Sequence, residues 1–319
     1  MRAPDATTTL PKKLSGGICG AWSAFMVLAI WTVLAGTARG QIFVAYEGLY
    51  NGDGGVAEYS LSGDTINPRF VYGYDGCYGL TMDEGGNLWV GNIAGAGVWK
   101  YSTSGAGLGG LPLAPATANS PGYLAANGVG NLFVASGGAF VGEFTTSGAI
   151  VNSYLISGFP VGGLAAAGNS LFVENAVNGT IMEYTTSGQL VNPSLITGAG
   201  GPLVYDGNGH LFVGSGNGTI GEYTTSGEAL NASLITGLSS IGSLALDGNG
   251  HLFVLSQNTI GEYTTLGATI NPSLVTVTGL AGLGTIVVVP EPSSAVLTVL
   301  GLGSLWLGLR RSRRACSRD

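Results

Sequence analysis

The chain has 319 residues, of which 57 are Gly, 45% are hydrophobic and only 9% are charged. Glycines without a three-residue period exclude collagen, and plentiful aliphatic and aromatic residues exclude ordinary disorder; so much glycine also disfavours a long helical protein. Between Gln41 and Val289 only Arg69 and Lys100 are basic, against fifteen Asp and Glu, so this stretch carries 2 − 15 = −13 and nucleic acid is excluded as a partner.

In chain order, Lys12 and Lys13 precede an apolar run from about Ile18 to Leu34 and then the small residues Ala35-Gly36-Thr37-Ala38. Basic, apolar and small-residue regions in that order are the pattern of a secretory signal peptide. The signal is expected over residues 1–40, with cleavage between Gly40 and Gln41; cleavage after Ala38, or an uncleaved anchor, is the alternative.

Residues 41–289 repeat. A Leu/Ile-aromatic-Val triplet recurs at Ile42-Phe43-Val44, Leu88-Trp89-Val90, Leu132-Phe133-Val134, Leu171-Phe172-Val173, Leu211-Phe212-Val213 and Leu252-Phe253-Val254. A second aromatic follows each, at Tyr59, Tyr101, Phe144, Tyr184, Tyr223 and Tyr263, with spacings of 42, 43, 40, 39 and 40 residues. That is the period of a four-stranded propeller blade. Short β-branched and aromatic runs between Gly, Asn and Asp turns fit hairpin rules. The chain ends settle closure. Gly284-Thr285-Ile286-Val287-Val288 aligns with the first strand Gly242-Ser243-Leu244-Ala245-Leu246, whereas the mature chain opens on a second strand. The expected fold is therefore an all-β, six-bladed propeller, its ring closed by strand 284–289 completing the N-terminal blade. An open solenoid is the alternative. The Gly-rich stretch Gly105–Gly110 is expected to be a long connection between the second and third blades.

The expected innermost strands, such as Leu164-Ala165-Ala166 and Ile286-Val287-Val288, carry no acid, base, thiol or metal ligand, and catalysis needs such groups to converge. Asp83, Asp206 and Asp247 read as turn residues that cap their own backbone. His210 and His251 occupy one position in adjacent repeats, which suggests a copied strand-start residue more than a shared metal site. The preceding Asp-Gly-Asn-Gly lacks the further carboxylates of a calcium loop. Glu58, Glu143, Glu183, Glu222 and Glu262 are expected to face solvent beside the third-strand aromatics. Cys77 is the only cysteine between the two ends, so no disulfide is expected within the body. No catalytic residue, metal or cofactor is assigned.

The chain then reads Pro290-Glu291-Pro292, an uncharged and mostly apolar stretch 293–309, and the cluster Arg310, Arg311, Arg313 and Arg314. The stretch is long enough for a short transmembrane helix, and the arginines would hold its end on the cytoplasmic side. These three features in this order resemble the PEP-CTERM sorting signal, and the repeat rhythm resembles NHL-type propellers. A plain tail anchor is the alternative. The resemblance implies transient residence in the inner membrane, processing by an exosortase at Pro290-Glu291-Pro292, and a final place on the cell surface or outside it. It also implies an association with exopolysaccharide and biofilm. The expected function is a non-enzymatic binding or structural module, with extracellular polysaccharide or a surface protein as partner. A propeller-based lyase or hydrolase outside the cytoplasm is the alternative.

Overall fold

The structure, a computed structural model, describes residues 40–48, 52–93, 97–111, 121–136 and 139–290. The expected signal segment up to residue 39, Glu291, Pro292, the expected helix 293–309 and Arg310, Arg311, Arg313 and Arg314 lie outside the described residues. Gly40–Pro290 forms one compact unit.

This unit contains six four-stranded antiparallel sheets, and no helix occurs among the described residues. Blade 1 has β1 (Gln41–Tyr46), β2 (Gly54–Ser60) and β3 (Thr65–Tyr74). Blade 2 has β4 (Cys77–Met82), β5 (Asn87–Asn92), β6 (Gly97–Ser102) and β7 (Gly107–Leu111). Blade 3 has β8 (Pro121–Ala126), β9 (Asn131–Ser136), β10 (Phe140–Thr145) and β11 (Ile150–Ser157). Blade 4 has β12 (Val161–Ala167), β13 (Ser170–Asn175), β14 (Thr180–Thr185) and β15 (Leu190–Ile196). Blade 5 has β16 (Leu203–Tyr205), β17 (His210–Gly214), β18 (Ile220–Thr224) and β19 (Ala229–Ile235). Blade 6 has β20 (Ile241–Leu246), β21 (His251–Ser256), β22 (Thr259–Thr264) and β23 (Thr269–Thr276).

The last strand, β24 (Leu283–Val289), is the inner strand of blade 1 and pairs antiparallel with β1, Gln41 opposite Val289. The inner strands then touch in the order β24, β4, β8, β12, β16, β20 and back to β24. The chain is thus a closed six-bladed propeller, not an open solenoid. Side-chain hydroxyls tie the closing strand on both flanks. Thr285 Oγ1 accepts from Leu80 N–H and donates to the Tyr78 carbonyl at 3.0 Å, and Ser243 Oγ accepts from Ile286 N–H at 3.0 Å.

The triplets explain why blades stack. A strand alternates its side chains between two faces, and the second strand of each blade has a neighbouring blade on both. The aromatic of each triplet faces the next blade. Phe43 packs on Leu80, Leu88 and Val90, Phe212 on Leu244, Leu252 and Val254, and Phe253 on Ile286, Ile42 and Val44 across the closure. Trp89, Phe133 and Phe172 repeat the contact at the other three interfaces. All six aromatics are at most 2% exposed. The second aromatic of each blade, such as Tyr59 or Tyr263, joins the Leu/Val face and packs backward.

One expectation about the strands fails. Gly107–Leu111 is not a connection but β7, the outer strand of blade 2, paired with β6 through Val98–Leu111 and Trp99–Gly110. Its glycines hide the strand signal, and Gly110 leaves room for a neighbouring ring: a Cβ there would lie 2.6 Å from Trp99 Cε3.

A tight turn joins third and fourth strands in each blade. In blade 5 Thr224 Oγ1 bonds Ser226 Oγ at 2.8 Å and accepts from Glu228 N–H at 3.1 Å, while Gly227 N–H donates to the Thr224 carbonyl at 2.9 Å. Gly227 has φ +88°, and a Cβ there would fall 2.4 Å from the Leu195 carbonyl oxygen of the preceding blade. Gly148, its equivalent in blade 3, has φ +98°, and a Cβ there would meet nothing within 4 Å. Gly148→Ala should therefore cost only the left-handed strain of about 1–2 kcal/mol. Gly227→Ala should cost about 1–3 kcal/mol more, because blade 4 must shift. Urea unfolding of the pair checks this; equal losses would mean that the turn does not brace the neighbouring blade.

Candidate functional site

The inner strands enclose a central channel of about 360 Å³. Its wall is made of apolar side chains such as Met82, Ala126, Ala166 and Leu246, together with hydroxyls including Thr81 and Tyr205. Such a wall offers dispersion contacts and a few neutral hydrogen bonds.

At the end of the ring where the inner strands stop, the three aspartates cap their own turns. Asp83 Oδ1 accepts from Gly85 and Asn87 N–H at 3.0 and 2.9 Å, Asp206 Oδ1 from Asn208 and His210 at 2.7 and 2.9 Å, and Asp247 Oδ1 from Asn249 and His251 at 2.7 and 3.0 Å. Their second oxygens do further work. His210 Nδ1 lies 3.1 Å from Asp206 and 3.6 Å from Glu222, and His251 Nδ1 lies 2.9 Å from Asp247 and 3.7 Å from Glu262. Each histidine bridges carboxylates of its own blade, and the two do not meet. Among the described residues no group of three or more His, Cys, Asp and Glu has the arrangement of a metal site.

The repeated glutamates are not solvent-facing as expected. Each sits opposite its triplet aromatic, Glu58 opposite Phe43 and Glu262 opposite Phe253, so it shares the face that meets the next blade. Glu58 and Glu143 are buried, at 6% and 7% exposure, and burial raises both carboxyls above the usual range. The residue opening the second strand supplies the missing donor: Gln41 to Glu58, Asn131 Nδ2 to Glu143 at 3.0 Å, and Ser170 Oγ to Glu183 at 2.9 Å. A buried carboxylate without such a donor would be strongly unfavourable.

Blade 2 solves the same problem by reversing the charge. Lys100 stands where the other blades have Glu, and its Nζ lies 2.7 Å from Asp83 Oδ2, donates to the Thr146 carbonyl at 3.0 Å and sits 5.0 Å from the Trp89 ring centre. Trp89 Nε1 also donates to Asp83 Oδ2, at 3.0 Å. Burial alone would raise the Asp83 carboxyl, but Lys100 and the N–H donors around it outweigh burial and leave it below its ordinary value. Asp83→Asn should lower stability by about 2–4 kcal/mol, since it leaves the Lys100 ammonium without its counter-charge. Because the folded carboxyl is the stronger acid, this contribution is complete at neutral pH and should fade below about pH 4, as the unfolded Asp takes up its proton first. Chemical unfolding of both proteins from pH 7 to pH 3 checks it; a difference that grows on acidification would contradict this assignment. Glu58 and Glu143 have the opposite sign, contributing most at low pH.

A second cavity, of about 250 Å³, opens at the other end of the ring, where inner strands begin. Blades 1 to 4 line it through Glu47, Tyr78, Ile93, Tyr123, Ser136 and Val161. The Tyr78 and Tyr123 rings meet edge to face at 5.8 Å. Tyr123 also lines the central channel. In the neighbouring blade 4, Glu174 is 4% exposed and folded over Gly162 so closely that a Cβ there would be 1.9 Å from its Oε2. Glu174 Oε2 and Ser136 Oγ are buried with no hydrogen-bond partner among the described residues. Burial raises the Glu174 carboxyl, with the Gly162 N–H opposing, and raises the Tyr123 phenol, helped by Tyr78 and the charge of Glu174. Sequence reasoning missed Tyr78, Tyr123 and Glu174. The available signal was that each breaks the repeat.

No family model matches the chain, and no curated protein matches it. Solved structures do. A chain of a nidogen/laminin complex superposes with TM-score 0.64 at 13% identity, over 79% of this chain and 99% of that one. A protein of unknown function from Bacteroides caccae gives 0.55 at 16% identity, again over 79% and 99%. The body is a six-bladed propeller, the fold that these structures share with it. A streptogramin B lyase is matched at TM-score 0.48 and 16% identity over 72% of each chain, a likeness too distant to carry its chemistry across.

Proposed function

We propose that this protein is an exported propeller that acts as a non-enzymatic binding or structural module on the cell surface or in the extracellular matrix. The observation that supports this reading most is the wall of the central channel, in which apolar side chains and hydroxyls replace the convergent acids and bases on which catalysis depends. The address is read from the two ends. A signal-like segment precedes Gln41, and Pro290-Glu291-Pro292, the apolar stretch and the arginine cluster follow β24 directly. In this reading an exosortase processes the C-terminal segment after the inner membrane has held it, and the released or transferred body meets extracellular polysaccharide or a surface protein. The acidic body suits solubility and cation-bridged contacts in a polysaccharide matrix.

Intact mass and location of the protein in its native host, with and without exosortase activity, test the proposal. A product running from Gln41 to near Pro290, found beyond the inner membrane only when the exosortase is active, is expected. A C-terminus retained to Asp319 in the inner membrane would make it a tail-anchored propeller and remove the main support for a matrix role.

A further inference from the structure

In five blades the outer strand arches away from its partner. One residue of the third strand, Ala57, Gly142, Met182, Gly221 or Gly261, faces three residues of the fourth, 68–70, 153–155, 193–195, 232–234 or 272–274. The Asn before each arch fastens it: Oδ1 of Asn67, Asn152, Asn192, Asn231 or Asn271 accepts from the N–H two residues on at 3.0–3.2 Å. Each arch ends on Phe70, Leu155, Leu195, Leu234 or Leu274, and that residue is seated against the turn glycine of the next blade. A Cβ on Gly105, Gly188, Gly227, Gly267 or Gly63 would lie 2.1–3.7 Å from its carbonyl oxygen and 3.0–3.6 Å from its side chain.

Blade 2 has no arch. Val98, Trp99 and Lys100 pair one to one with Leu111, Gly110 and Gly109, so two residues are missing, glycine replaces the Asn, and no Leu or Phe is sent forward. The turn glycine of blade 3, Gly148, accordingly has nothing within 4 Å of where its Cβ would be. A groove of about 290 Å³ opens there, lined by Trp89, Lys100, Leu108 and Gly110 of blade 2 and by Thr146 and Gly148 of blade 3. Polar contacts hold the turn instead: Lys100 Nζ donates to the Thr146 carbonyl at 3.0 Å, and Thr146 Oγ1 donates to Glu84 at 2.8 Å.

The five seated arches say what fits such a groove, a bulky apolar side chain on an extended backbone. β7 is the outermost strand of its sheet and has no strand beyond it among the described residues, and Gly107–Gly110 are exposed with only the Leu108 side chain among them. An edge of that kind admits the backbone of an incoming strand. Lys100 is already answered by Asp83 at 2.7 Å and the body carries a net charge of −13, so an acidic segment is repelled and an uncharged one suits the place. A second copy of this chain offers no loose plug, because its five arches are seated in their own ring.

We propose that the groove between blades 2 and 3 is a socket for a partner protein: it takes a Leu or Phe side chain from an uncharged, extended segment that lies along β7 and supplies in trans the arch this blade lacks. The proposal rests on the binding-module reading only in supposing a protein partner; sorting plays no part in it, so a failure here leaves the mass and location result untouched.

The test uses the full chain purified from its exporting host and, as probe, a fluorescently labelled peptide Val-Asn-Pro-Ser-Leu-Ile-Thr, which copies residues 191–197 and so carries the arch of blade 4. The peptide should bind and raise the unfolding temperature. A peptide with Ala in place of its Leu should bind at least about tenfold more weakly, as expected for the loss of one buried leucine side chain. Two protein variants should close the socket. Replacing Gly109-Gly110 by the Asn-Pro-Ser-Leu of residues 192–195 restores the arch in cis, and should abolish binding and raise the unfolding temperature without peptide. Gly148→Asn is the milder change: asparagine tolerates the left-handed φ of +98° there, and its side chain would enter the socket and weaken binding. No binding of the peptide, equal binding of the Ala peptide, or undiminished binding to both folded variants would each overturn the proposal. Binding that appears only in a Leu113→Ala variant would mean that the chain fills its own socket, and would overturn it as well.

Discussion

Everything in this propeller depends on a second strand that has no free face. Each triplet sends its Leu or Ile and its Val backward and its aromatic forward, so every blade is both a surface for its predecessor and a wedge into its successor. Complete burial of a large apolar side chain contributes about 1.5–3 kcal/mol. Six such wedges, none bonded to its neighbour by a disulfide or a metal among the described residues, set the ring's rigidity. Cys77 illustrates the same economy: it is fully buried among apolar neighbours, and burial pushes its thiol up to about 12, which makes it a core residue and not a reactive one.

Much of this architecture was legible in the sequence because the constraint is periodic. The triplets and the second aromatics marked the strands, and the unmatched strand at either end foretold closure. β7 was illegible because its three glycines carry no strand propensity, and one of them, Gly110, answers to the Trp99 ring. The burial of the repeated glutamates was hidden for a different reason. Strand alternation places Glu beside the aromatic but does not say that the next blade reaches far enough to cover it, nor that Gln41, Asn131 or Ser170 lies within bonding distance. The mouth cavity was legible only in part. Tyr78 and Tyr123 stand out once blades are aligned, but their meeting at one opening depends on how successive blades fan around the axis.

Charge is used sparingly and is almost always answered. The body has two cations, and both are engaged: Lys100 with Asp83 and Trp89, and Arg69 over the Tyr72 ring at 4.4 Å. The repeated glutamates receive amide, hydroxyl or imidazole partners from their own blade, whereas Glu84 of blade 2 accepts from Thr146 Oγ1 of blade 3 at 2.8 Å.

The closing strand gives the chain a history as well as a shape. β1 and β24 lie side by side but are separated by nearly the whole body in sequence, and a chain made from its N-terminus delivers them at opposite ends of its synthesis. Until β24 arrives, blade 1 is three-stranded and the inner edge of β1 is bare, an open template for pairing with another chain. Every incomplete product, whether from stalled synthesis or from proteolysis ahead of Leu283, therefore shares one defect, a ring that cannot latch. The span of vulnerability is the time taken to make the intervening blades, and that edge has no partner strand of its own chain throughout it.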